Sequence, residues 1–564
     1  MPTLHWVGKD KVKHHHRDVP YRVLLNDHRY QAPAGTPDNS TDNRIIQGDN
    51  LEALKSLLPE FEGKVQCIYI DPPYNTGNEG WVYNDNVNDP RIKKWLGQVV
   101  GKEGEDMSRH DKWLCMMYPR LKLLHRLLKD DGVILISIDR NEMASLKTIM
   151  DEIFLASNWV GEICWRNVTD NNPTNISLEH EYVICYAKKK SSIEAIWKSA
   201  ELASKQALID LGEQIVSRHS STKGMQEEYS AWYKEHKHEI WPFQDYKFID
   251  SGGIYTGSRS VHNPGKEGYR YEAHNDVIHP ITGKPCKQPL MGYRFPWETM
   301  QSLLDQDRII FGKDESKLVE LKLYVNDYKS KFSSVIELDG RTGTNEIKAI
   351  FPENNRPFDY PKPSELIFDF LSFSSKPDAV ILDSFAGSGT TAHAVLKLNA
   401  QDGGNRRFIL IEMMDYADNL TAERVRRVMA GYGEGAKAVA GLGGAFTFQR
   451  LGEPLFDEQQ QLNPAVGLEA IRSYIAWLEC IPRQELAPLD NPRHRYWLGV
   501  ANGQRVFFCY EPERITCLDM DLLNELIQTP GPTLFYADQL ALGEELMRRH
   551  NLRFKKIPRD ITRL

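Results

Sequence analysis

Residues 68–75 read Ile-Tyr-Ile-Asp-Pro-Pro-Tyr-Asn, the end of an apolar run that begins at Val65 (VQCIYI). The run has no polar alternation, so it predicts a strand covered on both faces, as in a parallel sheet flanked by helices. Each proline fixes its own φ and pushes the residue before it into an extended conformation, so Asp71 and Pro72 are held extended at the strand's carboxyl end. With no N–H on the following proline, the Pro72 carbonyl need not belong to a ladder and is available to an outside donor. Tyr74 places an aromatic face beside it. A plain strand-ending turn accounts for the prolines but leaves the acid and the ring as coincidence.

Outward from this turn the chain keeps an α/β rhythm. RIIQGD and NLEALKSLL precede it as strand and helix; DKWLCMMYPRLKLLHRLL follows as a helix with Trp113, Met117, Leu121, Leu124 and Leu128 on one face. DGVILISID, SLKTIMDEIF and EYVICYAK then predict strand, helix and strand, and residues 79–111 a charged loop. From about 190 to 345 the rhythm breaks into a Gly-, Tyr-, Trp- and Lys-rich segment without sustained period, which reads as an insertion; long insertions of this kind usually carry function. AVILDSFAGSGTTAHAVLKL and RRFILIE resume the pattern. The expected organisation is a polar leader (1–43), a split α/β core (44–190 and 346–445) around the insertion (191–345), and a C-terminal mixed α/β module (446–564). The fold class is α/β, a Rossmann-like doubly wound, mostly parallel sheet.

The second constellation is VILDSFAGSGTT: a strand to Leu382, Asp383, the turn Phe385-Ala386-Gly387-Ser388-Gly389, and a helix from about Thr390. Glycines let the backbone turn sharply and lie against a ligand, and free N–H groups at the helix start favour an anionic group. The next strand ends in Glu412, placed to accept hydrogen bonds from both ribose hydroxyls of a nucleoside. A ring-conjugated amine is a poor nucleophile because its lone pair is delocalised; two acceptors on its N–H bonds and an aromatic face on its ring would correct that. Asp71, Pro72 and Tyr74, with Pro73 stiffening the turn, supply the set, for a base that has left the duplex stack.

Composition sets limits. The 564 residues are too many for one core, and 41% hydrophobic with 26% charged residues is ordinary for a folded, soluble chain. No apolar run approaches the roughly 20 residues that span a bilayer, so no membrane partner and a cytoplasmic location are expected. The eight cysteines form no C-x-x-C pairs, His14–His16 read as a solvated basic segment, and no metal site is called for. A net charge of -8 excludes a globally basic surface while leaving room for a local basic channel. Within the insertion, Arg259, Arg270, Lys284, Lys287 and Arg294 interleave with Tyr255, Tyr269, Tyr271 and Tyr293 as material for reading bases, but residues 241–300 hold seven Lys/Arg against six Asp/Glu, so no basic stripe stands out.

The order of the motifs, DPPYN early and FAGSG late with an irregular segment between, resembles the amino-group DNA methyltransferases of the permuted class. YPRLKLLHRLLKDDGVILISIDRNE, EHEYVICYAKK, FDYPKPSELI and ILDSFAGSGTTAHAVLKLN are similar to the modification subunits of type III restriction systems and related adenine methyltransferases, over roughly residues 44–185 and 345–430. The resemblance implies S-adenosyl-L-methionine as cofactor, held by Phe385, Ala386, Gly387, Ser388, Gly389 and Thr390, with Asp383 at the base of the turn and Glu412 on the ribose. It places Lys362 and Pro363 against the methionine end and gives Asp71 a second role near the cofactor's amino group. Asp as the first residue of the DPPY tetrapeptide implies adenine N6 as target, with cytosine N4 as the alternative. It further implies double-stranded DNA as substrate, a homodimer, and a nuclease/helicase restriction partner. A stand-alone methyltransferase and a non-catalytic DNA-reading scaffold are the rival readings; a glutamine methylase would carry Asn at position 71.

Overall fold

The computed structural model describes residues 3–75, 90–101, 108–167, 175–195, 197–199, 203–237, 240, 243–262, 276–290, 292–328, 330–491, 494–527, 529 and 531–561. The chain divides into two compact units, 1–195 with 333–564, and 196–332.

The first unit is built on a ten-stranded sheet: β1 (Arg22–Gln31), β2 (Asn43–Gln47), β3 (Val65–Ile70), β4 (Leu128–Ile138), β5 (Trp159–Arg166), β6 (His180–Ala187), β7 (Val335–Glu337), β8 (Val380–Asp383), β9 (Arg407–Glu412) and β10 (Ala445–Pro454). The spatial order is β1-β10-β2-β9-β8-β3-β4-β6-β5-β7. From β10 through β4 every neighbour is parallel; β6 is antiparallel to both β4 and β5, and β1 to β10. All six residues of β3 are buried. Ile68 and Ile70 join the core formed with the helices Asn50–Phe61 and Arg109–Leu127. Cys67 and Tyr69 point the other way, Cys67 to Ser374 and the Tyr69 ring to Phe370, both on the helix Ser364–Ser374. Helices on both faces explain why the strand carries no polar alternation.

The chain leaves β3 toward β4 on one side and β8 toward β9 on the other, although β3 and β8 are neighbours. The sheet therefore changes winding direction between them, and the crevice outside the carboxyl ends of these two strands is where such sheets bind ligands.

Three regions depart from the sequence expectations. The stretch read as a polar leader contains β1, whose residues are half-buried or exposed because it is an edge strand, and His16 is buried rather than solvated. Within the expected loop 79–111 stands a helix, Pro90–Val99; proline suits the first helical position, and Leu96 packs into the core. β10 belongs to the main sheet, so the C-terminal module proper follows Pro454. Four of its strands, Trp497–Ala501, Gln504–Phe508, Thr533–Ala537 and Leu552–Lys556, form a separate sheet, with the helix Leu468–Leu478 packed beneath it.

The second unit, 196–332, lies inside the stretch read as an insertion. It holds helices Ala203–Arg218 and Thr222–His236 and a four-stranded antiparallel sheet of Ile309–Ile310, Glu320–Tyr324, Gly253–Ser258 and Phe248–Asp250. Arg259, Lys284, Lys287 and Arg294 are exposed, Tyr293 is buried and Tyr255 half-buried. Tyr269, Arg270 and Tyr271 lie outside the described residues.

Candidate functional site

The strand register brings the two constellations together: Leu382 pairs with Ile68, so Asp383 and Asp71 leave adjacent strands at the same edge of the sheet. A narrow cleft opens between them, lined by Asp71, Lys362, Asp383, Phe385, Ala386, Ser388, Thr390 and Thr391, with Phe358, Tyr360 and Ile367.

On the β8 side the turn is held from within. Gly387 and Gly389 have φ of 51° and 79°, a conformation that costs most residues with a side chain. The Asp383 carboxylate accepts from Phe385 N–H at 3.0 Å and from the Thr391 hydroxyl at 2.5 Å. Glu412 accepts from Gly387 N–H at 2.8 Å and from Met414 N–H at 3.0 Å. The Thr421 hydroxyl donates to the Gly387 carbonyl at 2.5 Å. Burial pushes the Asp383 carboxyl up to about 7, against the pull of the Thr391 and Phe385 hydrogen bonds.

Beneath the turn is a charge cluster that the sequence reading did not single out. Arg424, fully buried, donates to Ser388 Oγ at 2.9 Å, to Thr390 Oγ1 at 2.6 Å and to Glu346 Oε2 at 2.9 Å. Glu346 also accepts from Lys397 Nζ at 3.0 Å and from the backbone N–H and hydroxyl of Ser364, the first residue after Pro363. Burial acts to raise the Glu346 carboxyl, but the charges of His393, Arg424 and Lys397 outweigh it and hold it at about 2.

On the β3 side the Asp-Pro-Pro-Tyr turn carries its acid into a different setting. Pro72 and Pro73 are buried, and the Pro73 carbonyl accepts from the Trp113 indole at 2.6 Å. Asn75, in the left-handed region at φ 60°, closes the turn and donates to Glu142. Lys362 reaches across from the chain before Pro363: its ammonium lies 3.1 and 2.9 Å from the two Asp71 oxygens, 2.7 Å from the Tyr74 hydroxyl and 3.3 Å from Glu181 Oε2. It also stands 4.8 Å from the Tyr74 ring centroid. Burial raises the Asp71 carboxyl, and the Lys362 charge works against that rise. Burial alone would lower the Lys362 ammonium; the Asp71 and Glu181 charges instead hold it above the ordinary lysine value.

Glu181, at the start of β6, lies in the EHEYVICYAKK segment, whose pattern marks it only as strand. Its Oε2 accepts from the Tyr74 hydroxyl at 2.8 Å and its Oε1 from Asn167 Nδ2 at 2.7 Å. The structure thus places Asp71, Lys362, Asp383, Phe385, Ala386, Ser388 and Thr390 on one cleft, links Tyr74 to Lys362 and Glu412 to Gly387 by hydrogen bonds, and adds Glu181, Asn167, Arg424 and Glu346. One acid and one cation more than the motif requires are the signal of the first; the second pair carries no local signal, since the partners stand 78 residues apart.

A family model described as DNA methylase matches residues 65–423, which takes in both constellations and the segment between them. The chain is 44% identical over 441 residues to the type III restriction-modification enzyme EcoP15I Mod subunit of Escherichia coli, covering 76% of this chain and 66% of that one. It is 31% identical over 459 residues to the type III StyLTI Mod subunit of Salmonella typhimurium, covering 76% and 63%. It is 30% identical over 399 residues to the type II methyltransferase M.KpnI of Klebsiella pneumoniae, covering 67% and 82%. The matched region spans just under two thirds of the length of the two type III relatives.

Proposed function

Because the chain belongs to the DNA methylase family, we propose that it transfers a methyl group from S-adenosyl-L-methionine to the N6 amine of an adenine flipped out of double-stranded DNA at a specific sequence. We assign it the part of modification and specificity subunit in a restriction-modification system. The observation that carries the reading is the meeting of Asp71 and Asp383 at the winding switch of the sheet, from positions about 310 residues apart in sequence.

The donor set fits the proposed cofactor. Asp71 and Asp383 offer acceptors to an ammonium group, Lys362 a cation to a carboxylate, and Phe385 and Ala386 an apolar wall. Glu412, at the end of β9, offers a carboxylate to ribose hydroxyls. S-adenosyl-L-methionine supplies an electrophilic methyl on a sulfonium. Asp71 and the Pro72 carbonyl accept the two N–H bonds of the target amine and return its lone pair toward nitrogen, and Tyr74 holds the ring. No covalent enzyme intermediate is required, so most of the acceleration is positioning and hydrogen bonding to the reacting amine.

The type III relatives support a restriction partner as the setting, to which the proposal adds assembly with a second copy; M.KpnI, a type II methyltransferase matched over 82% of its length, supports the stand-alone reading. The C-terminal module after Pro454 is the proposed contact surface for a partner or a second copy. Loss of neither the oligomeric mass nor partner capture on deletion of residues 455–564 would dismiss that surface. Expression in a methylation-free host with single-molecule sequencing of the host DNA is expected to reveal N6-methyladenine at one short motif. Methylcytosine, or no modified base, would overturn the adenine assignment.

A further inference from the structure

Two carboxylates share one ammonium at this site. Lys362 has three N–H bonds and four polar atoms within 3.3 Å: both Asp71 oxygens, the Tyr74 hydroxyl and Glu181 Oε2. As long as the lysine sits on both Asp71 oxygens, that carboxylate cannot present its full acceptor strength to a target amine. Withdrawing a nine-tenths buried ammonium from its only carboxylate would leave a buried charge uncompensated, a loss of several kcal/mol in general. Glu181 removes that obstacle: it is already within ion-pair reach of Lys362, and it is aimed from both ends. Asn167 fixes Oε1 and the Tyr74 hydroxyl fixes Oε2. Asn167 itself is anchored through its carbonyl to Gly340 N–H at 2.8 Å, and the neighbouring Trp165 indole donates to the Leu338 carbonyl at 2.8 Å. The acid therefore stands on a braced strand end, with Asn167 holding it from outside the Asp-Pro-Pro-Tyr turn and Tyr74 tying it to that turn.

We propose that Glu181 is a positioning residue for methyl transfer: it takes over the Lys362 ammonium as Asp71 turns from that ammonium to the N–H of the target amine. The assignment rests on the methyltransferase reading above and names a residue that reading does not need. Tyr74 belongs to the same exchange, since its hydroxyl accepts from Lys362 and donates to Glu181, so the ring that stacks the base is oriented by the two groups that trade the charge.

The titratable and charged groups that face Asp71 are Tyr69 on its own strand, Tyr74 in the turn, Glu181 on β6, Lys362, and Asp383 on β8; Asp139 faces Glu181 from the end of β4. Among them the Glu181 charge pushes the Asp71 carboxyl upward, after burial and against Lys362. In Glu181→Gln the shape survives but the charge is gone and the amide oxygen replaces only one of the two carboxylate acceptors, so the Lys362 ammonium is committed to Asp71. The expected result is a roughly tenfold lower kcat and an acid limb of kcat/KM moved to lower pH by roughly half a unit, with the calorimetric Kd for S-adenosyl-L-methionine within about threefold of the parent. Glu181→Asp, which keeps the charge, is expected to recover most of kcat. An unmoved acid limb, or an unchanged kcat, in a Glu181→Gln protein that binds the cofactor normally would overturn the proposal. Asp71→Ala in the same assay separates the two levels: methylation by that variant would defeat the methyltransferase mechanism itself, whereas an inactive Asp71→Ala beside a normal Glu181→Gln defeats only the role of Glu181.

Discussion

The two turns that meet at the β8/β3 boundary are held in opposite ways. The glycine turn is fixed by its own backbone and by a buried cation below it: Glu412 and Asp383 accept from its N–H groups, and Arg424 clasps Ser388 and Thr390 from the core side. The Asp-Pro-Pro-Tyr turn is stiff in its chain, but its acid is balanced by a lysine from another segment that a second acid also holds. One side is a finished cradle; the other is a set of partners able to exchange. A cofactor that returns each cycle suits the first, and a base that arrives only after leaving the duplex suits the second. The division also says where substitutions will act: on the β3 side in rate, on the β8 side in stability and cofactor affinity.

The largest effect should come from the exchanging side. Asp71→Ala removes the acceptor that no neighbour replaces, and methyl transfer should fall by roughly a thousandfold or more. Affinity for the mapped duplex, read by a gel-shift or anisotropy titration, should stay within a few fold. If DNA binding fell in parallel with rate, the acid would be serving the architecture of the site, and the contrast between the two turns would collapse.

The finished side should show itself in stability against pH, with two limbs of opposite sign. Glu346 is held at about 2 in the folded chain against an ordinary 4.5, so its contribution is complete above pH 4.5 and is lost as pH falls toward 2. This amounts to about 3 kcal/mol. Asp383 is raised from 3.8 to about 7, so it costs nothing below pH 4 and its cost grows as pH rises to 7, on the order of 4 kcal/mol for the site without ligand. Chemical denaturation across this range should find Asp383→Asn flattening the decline between pH 4 and 7. Glu346→Gln should lose the acid limb and, by leaving Arg424 without its carboxylate, lower stability at neutral pH by roughly 3 kcal/mol. A parent curve that is flat from pH 4 to 7 would mean that the cleft solvates Asp383 well.

How much of this was legible in sequence follows the same line. β3, β4, β6, β8 and β9 announce themselves as continuous apolar runs because helices cover both faces, and the turns announce themselves through Pro72, Pro73, Gly387 and Gly389, whose chemistry is local. β1 was hidden because an edge strand keeps polar residues on its open side, and the helices of residues 203–236 were hidden because Gly212 interrupts the first and the second has few aliphatic positions beside Tyr229, Trp232 and Tyr233. The groups that tune the site were hidden for a different reason. Glu181 meets Tyr74 across 107 residues and Arg424 meets Glu346 across 78, so neither carries a pattern until the sheet order is known. Motifs report what the backbone must do; charges that answer one another across the fold report only in three dimensions.

The smallest expected effect is the most specific to the cradle. Gly389 sits at φ 79°, and a Cβ there would lie 3.0 Å from the Thr421 carbonyl and 3.4 Å from its methyl. Thr421 cannot yield freely, because its hydroxyl is bonded to the Gly387 carbonyl. Gly389→Ala should therefore strain the turn by about 1–2 kcal/mol and weaken S-adenosyl-L-methionine binding by roughly tenfold, while kcat at saturating cofactor changes little. Calorimetry of cofactor binding alongside a KM and kcat measurement reads the split directly. A loss in kcat with cofactor affinity intact would show that strain at the glycine turn reaches the Asp71 side, and the two turns would then have to be treated as one mechanical unit.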